Sequence, residues 1–133
     1  MKFIYNKGDM KTYEIEVNEQ NFASFESGIV HKVLSTFSIG KSAEWVCRLF
    51  VIDMKENDEE GIGTFLQIKH HSAALEGEKV LFTGFFDKIE GNVIWCNFTA
   101  VVGNRLIATG ITGQKILKKE KIESIFNKII PNE

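Results

Sequence analysis

At 133 residues the chain has the length of one domain, expected to span 1–133 and to bury about two thirds of its unfolded surface. A hydrophobic fraction of 44%, a charged fraction of 26% and a net charge of −2 with interspersed signs are those of an ordinary globular protein, without the basic footprint of a nucleic-acid binder. No apolar run is long enough to span a bilayer, the opening MKFIYNKGDM lacks the apolar centre of a signal peptide, and Cys47 and Cys96 share no metal-ligand spacing. The expectation is a cytoplasmic chain with two free, buried thiols, no membrane segment and no nucleic-acid partner.

In chain order, MKTYEIEV (10–17) alternates Tyr13, Ile15 and Val17 and predicts an antiparallel edge or joining strand. Residues 20–35 carry no clear period. GKSAEWVCRLFVIDMKE (40–56) has helical spacing, and Ala43, Val46, Cys47, Leu49, Phe50 and Val51 run more than one face wide. That width predicts a helix wrapped on several sides. From residue 62 the period changes to that of strands. IGTFLQIKH (62–70) is rich in strand formers, and EKVLFTGFFDKI sets Val80, Phe82 and Phe86 on one face. After the hairpin signal Glu90-Gly91-Asn92, NVIWCNFTAVV alternates Ile94, Cys96, Phe98 and Ala100 against Trp95, Asn97 and Thr99. Asn97 in that apolar strand is expected to be buried and hydrogen-bonded. Gly103-Asn104 marks another tight turn, and RLIATGITGQKIL closes the meander, with Gly110 and Gly113 allowing a bend or bulge. KKEKIESIFNKIIPNE reads as a short amphipathic helix or a tail. One largely buried helix followed by long antiparallel strands predicts an α+β architecture, a sheet curled around a central helix.

Three stretches carry a further signal. STFSIGKSAEW holds Thr36 and, eight residues on, Glu44; GTFLQIKHHSAALEG places His70 six residues after Thr64; and a long three-strand ending runs into ATGITGQKIL. Together, over roughly residues 10–120, they resemble the fluoroacetyl-CoA thioesterase-like group of hotdog-fold acyl-CoA thioesterases. The resemblance implies a hotdog fold and hydrolysis of an acyl-CoA or acyl-carrier thioester. It also implies a catalytic set of Thr, Glu and His, carried here onto Thr36, Glu44 and His70. Coenzyme A enters as part of the substrate, with no separate cofactor. Hotdog chains usually pair their sheets into a homodimer, and pairing of dimers into tetramers stays open. HSAALEG stands where relatives are usually proline-rich, so the acyl group is not specified.

The chemistry asks for the same residue types. Thioester hydrolysis needs a base near neutral pH, which an unperturbed imidazole supplies. A carboxylate beside it orients and stabilises the imidazolium or attacks the carbonyl, and a hydroxyl serves as nucleophile, water-positioning group or oxyanion donor. Backbone N–H groups at the start of the helix are natural oxyanion donors. Eight residues of straight helix separate Thr36 and Glu44 by about 12 Å, so Thr36 is expected before the helix or in a second chain. His70 should then approach Glu44 of its own or the partner chain.

Each assignment has a plainer rival. Adjacent His70 and His71 point to opposite sides of a strand, so metal binding by the pair is disfavoured and one alone should face the site. Glu44 and Arg48, four apart, could form an exposed ion pair; Thr36 could be a helix N-cap. His31 is expected to be structural or exposed. Lys69, Lys79, Arg105 and Lys115 are candidates for coenzyme A phosphates, with no ranking among them. The competing classes are a non-catalytic acyl-CoA-binding hotdog module, a hydratase-type hotdog enzyme, for which the Asp-and-His spacing is missing, and a cone-shaped single-helix fold with extra N-terminal helices.

Overall fold

Alternation along the second half of the chain becomes four long antiparallel strands: β4 (Glu59–His70), β5 (Lys79–Glu90), β6 (Val93–Val102) and β7 (Arg105–Lys118). They follow β1 (Met10–Glu16), a 3₁₀ turn (Glu19–Asn21), the hairpin β2 (Phe22–Phe25) and β3 (Gly28–Leu34), and the helix α1 (Thr36–Met54). A second helix, α2 (Lys119–Ile129), follows β7. These elements come from a computed structural model that describes residues 1–130; the last three residues of the expected C-terminal segment lie outside it.

The sheet runs in the order β1-β5-β6-β7-β4, so β1 and β4 are its two edges. Gly91 and Gly103 take positive φ of 61° and 56° in the two tight turns, which is why glycine stands at both. No bulge lies at Gly110 or Gly113: β7 slips register at Ile107, β5 between Phe86 and Lys88, and β4 between Gly63 and Phe65. The extra residue in β4, Thr64, donates its hydroxyl to the Gly113 carbonyl at 3.2 Å. Gly110 and Gly113 serve close approach instead: a Cβ at 110 would strike the Gln67 carbonyl and the Phe98 ring, and one at 113 would meet Trp95 at 2.9 Å.

α1 lies across the concave face of the sheet. Ile39, Ala43, Val46, Cys47, Phe50, Val51 and Met54 are buried against Val80, Phe82, Phe86, Ile94, Cys96 and Phe98. The helix is not wrapped on several sides, as the breadth of its apolar stripe predicted. Phe37, Lys41, Glu44 and Trp45 stay exposed on its outer side because the chain provides no second layer there. Cys47 and Cys96, remote in sequence, meet inside this core. Contact with Cys47, and then burial, push the Cys96 thiol far up, so it stays protonated.

Residues 20–35 form the 3₁₀ turn and hairpin rather than packed helices, which removes the cone-shaped alternative. Asn97 is exposed, not buried: it sits on the convex face, which no other element covers. α2 is the amphipathic helix expected, with none of its residues buried.

Candidate active site

The helix begins earlier than its spacing suggested. Ser35 is the N-cap, its Oγ accepting from the Ser38 N–H at 3.0 Å, and Thr36 is the first helical residue. Thr36 therefore neither precedes the helix nor caps it. It stands at the exposed N-terminus of α1, and its Oγ1 lies 3.0 Å from Nε2 of His70, the last residue of β4. The Ser38 N–H is taken by Ser35 Oγ and the Ile39 N–H by the Ser35 carbonyl, at 3.0 Å each. The two preceding N–H groups, of Thr36 and Phe37, remain at the helix N-terminus beside the Thr36 hydroxyl, where a developing oxyanion would be held.

His71 turns away. Its Nε2 lies 2.9 Å from Thr109 Oγ1 on β7, so the adjacent histidines diverge as their positions predicted. Among the described residues no group of three or more His, Cys, Asp or Glu is arranged to hold a metal ion. His31 is exposed on β3.

Glu44 joins neither the Thr36–His70 pair nor the ion pair weighed against it. Arg48 instead binds Glu60 of β4 at 2.6 Å. Glu44 is exposed two turns along α1 from Thr36, with its carboxylate against Gly63, where any Cβ would collide with it. Its backbone carbonyl accepts from the buried Gln114 side chain at 3.1 Å, which fixes this turn of α1 to β7. Helical rise leaves about 12 Å between the Glu44 and Thr36 positions of one chain. One chain thus brings together a hydroxyl and an imidazole and leaves the carboxylate apart.

Two clefts adjoin the helix N-terminus. One, about 280 Å³, lies between the β2–β3 hairpin and the first turn of α1, with Thr36 on its wall. The other, about 610 Å³, runs along the exposed side of α1 past Lys41, Glu44, Trp45 and Arg48 to Tyr13 and Ile15 of β1. Phe37 and Ser38 belong to both. Sequence reading missed Lys41, a lone exposed lysine on the helix, and the hairpin aromatics, since residues 20–35 show no period. It named instead Lys69 and Lys79, both exposed, Lys115, half-buried on β7, and Arg105, which is paired with Glu78.

Residues 17–120 match the model of the family described as fluoroacetyl-CoA-specific thioesterase. A Thermus thermophilus hypothetical protein, described as a thioesterase superfamily member, is 32% identical, with 93% of this chain and 92% of that one covered and a TM-score of 0.89. The fluoroacetyl-CoA thioesterase FlK superposes with a TM-score of 0.85 at 20% identity, over 96% of this chain and 98% of its own. A hot-dog-like protein from Thermanaerovibrio acidaminovorans reaches 0.89 at 14% identity, over 97% of this chain and 96% of its own. No curated protein sequence matches. The long antiparallel sheet around one helix is the hotdog fold, and the chain belongs to the fluoroacetyl-CoA-specific thioesterase family, whose activity is hydrolysis of acyl-CoA thioesters.

Proposed function

We propose that this thioester hydrolase uses Thr36 as nucleophile, His70 as general base and Glu44 of the partner subunit as the carboxylate that completes the site. The observation that carries the reading is the 3.0 Å contact between Thr36 Oγ1 and His70 Nε2, the geometry of a nucleophile and its base. His70 takes the Thr36 proton as Oγ1 attacks the thioester carbonyl, and the N–H groups of Thr36 and Phe37 receive the oxyanion. The tetrahedral intermediate collapses to an acyl-threonine, and the imidazolium returns its proton to the departing thiolate. Water, deprotonated by His70, then releases the free acid and restores the hydroxyl. The acyl carrier is coenzyme A, which FlK holds in its acetyl-CoA complex.

The second subunit enters for two reasons. β4 is a sheet edge of 12 residues with no proline, and its central Phe65 and Leu66 are 47% and 44% exposed. Such an edge is a template for pairing with another strand. An antiparallel register that sets Gly63 against the partner subunit's His70 also carries Glu44 to that imidazole. Residues opposite one another in such a pair face the same side of the sheet, and both Gly63 and His70 face α1. The imidazolium formed in each step then has a carboxylate beside it.

Thiol release from acyl-CoAs tests the chemistry. Wild-type protein should turn over at least one neutral acyl-CoA, and His70→Ala should lose about 10³-fold in kcat, within the range a positioned base contributes. Its melting temperature should not change, since His70 is exposed. An unchanged rate in His70→Ala would remove the base assignment.

A further inference from the structure

The two clefts at the helix N-terminus differ in charge, and that difference says which end of a thioester each can take. The smaller one sets Phe22, Ala23, Phe25 and Phe37 beside Gln20 and the hydroxyls of Ser24, Ser35, Thr36 and Ser38, and no residue on its wall carries a charge. The larger one contains Lys41, Glu44 and Arg48. The nucleotide end of coenzyme A is anionic, and the larger cleft offers it cationic side chains whereas the smaller one offers none. The polyanionic arm therefore leaves over Phe37 toward Lys41, and the acyl group turns toward the hairpin.

We infer that the cleft between the β2–β3 hairpin and the N-terminus of α1 is the acyl pocket, and that it selects a neutral, apolar acyl group larger than two carbons, up to an aromatic ring. The volume supports the size. At about 280 Å³ the cleft exceeds the ~150 Å³ in which an apolar cavity holds a benzene molecule, and a two-carbon acyl group leaves most of it to water. The walls support the chemistry. Phe25 is 76% and Phe37 81% exposed, apolar surface beside the reactive hydroxyl that a bound ring would remove from water. An acyl group bearing its own carboxylate, such as succinyl, meets no cation there.

The assignment of the reacting end rests on the Thr36–His70 reading, so the test separates binding from chemistry. Calorimetry on His70→Ala protein, whose variant side chain lies outside the cleft wall, measures the affinities of phenylacetyl-CoA, acetyl-CoA and succinyl-CoA without turnover. Phenylacetyl-CoA should bind at least tenfold more tightly than either of the others. Ala23→Trp, which fills the cleft from β2, should reduce that preference to within about twofold. Equal affinities for phenylacetyl-CoA and acetyl-CoA, tighter succinyl-CoA, or a preference untouched by Ala23→Trp would each overturn the pocket. Tight phenylacetyl-CoA binding without hydrolysis by wild-type protein would uphold the pocket and overturn the catalytic assignment instead.

Discussion

The two sides of α1 are built by opposite rules. On the inner side Ile39, Ala43, Val46, Cys47, Phe50 and Met54 recur at helical spacing and are sealed by the sheet, with the Phe50 ring edge-on to Tyr5 at 4.9 Å and to Phe86 at 5.8 Å. On the outer side the same turns expose Phe37, Lys41, Glu44 and Trp45, and Thr36 stands at the helix tip against His70. The inner side carries stability. The outer side carries the reactive groups, and little stability should depend on them. A helix placed on one face of a curled sheet thus divides its labour by face, and variants can test that division.

The largest effect should come from the inner side. Phe50→Ala leaves a cavity inside a close-packed core and should cost about 4 kcal/mol of unfolding free energy, read by urea denaturation; a loss below about 1 kcal/mol would break the division. On the outer side Glu44→Gln should lower kcat about 10²-fold, roughly 2.7 kcal/mol of barrier, with a urea midpoint equal to wild type. A Glu44→Gln protein that lost stability instead would make Glu44 structural.

The smallest effect belongs to the end of the helix away from the site. Asp53 accepts from the Tyr5 hydroxyl and pairs with Lys11 Nζ at 2.9 Å, and these two contacts, the tyrosine first, hold its carboxyl below the usual carboxylate range. Because the folded value is depressed, the stability it contributes is present above the ordinary aspartate range and disappears as pH falls through the folded value. The pair is partly solvent-exposed, which limits the effect. Asp53→Asn should lower the melting temperature by about 3–4 °C near pH 7, on the order of 1 kcal/mol for a chain of this size, and by progressively less as the medium becomes more acidic. A constant difference across that range would contradict the linkage.

How far the sequence could be read follows the same division. Alternation exposed β5, β6 and β7 because their inner residues face one continuous core, and Gly91 and Gly103 announced the turns. The helix start was four residues earlier than expected, since STFS mixes a cap, a β-branched residue and an exposed aromatic with no apolar period. The hairpin was illegible for a related reason: its register slips twice, between Phe22 and Ala23 and between Ala23 and Ser24, and only Phe22 and Leu34 are buried. Asn97 misled because alternation names two faces without saying which one the chain covers. Thr36 and His70 were recognisable as a set by resemblance, but their 3.0 Å contact depends on β4 ending against the first turn of α1, which no local pattern encodes. The separation of Glu44 from Thr36 did follow from helical rise, whereas its separation from His70 did not.

The central claim is that the site is shared across the β4 edge, and subunit mixing tests it most directly. His70→Ala and Glu44→Gln proteins, each retaining about 1% of wild-type turnover or less, are mixed in equal amounts, dissociated and reassociated, and assayed for thiol release. If His70 of one subunit works with Glu44 of the other, half of the mixed dimers' sites are intact, and random reassortment should restore about a quarter of wild-type activity. Activity that stays at the level of the two parents after verified exchange would place both residues in one subunit's site and contradict the account.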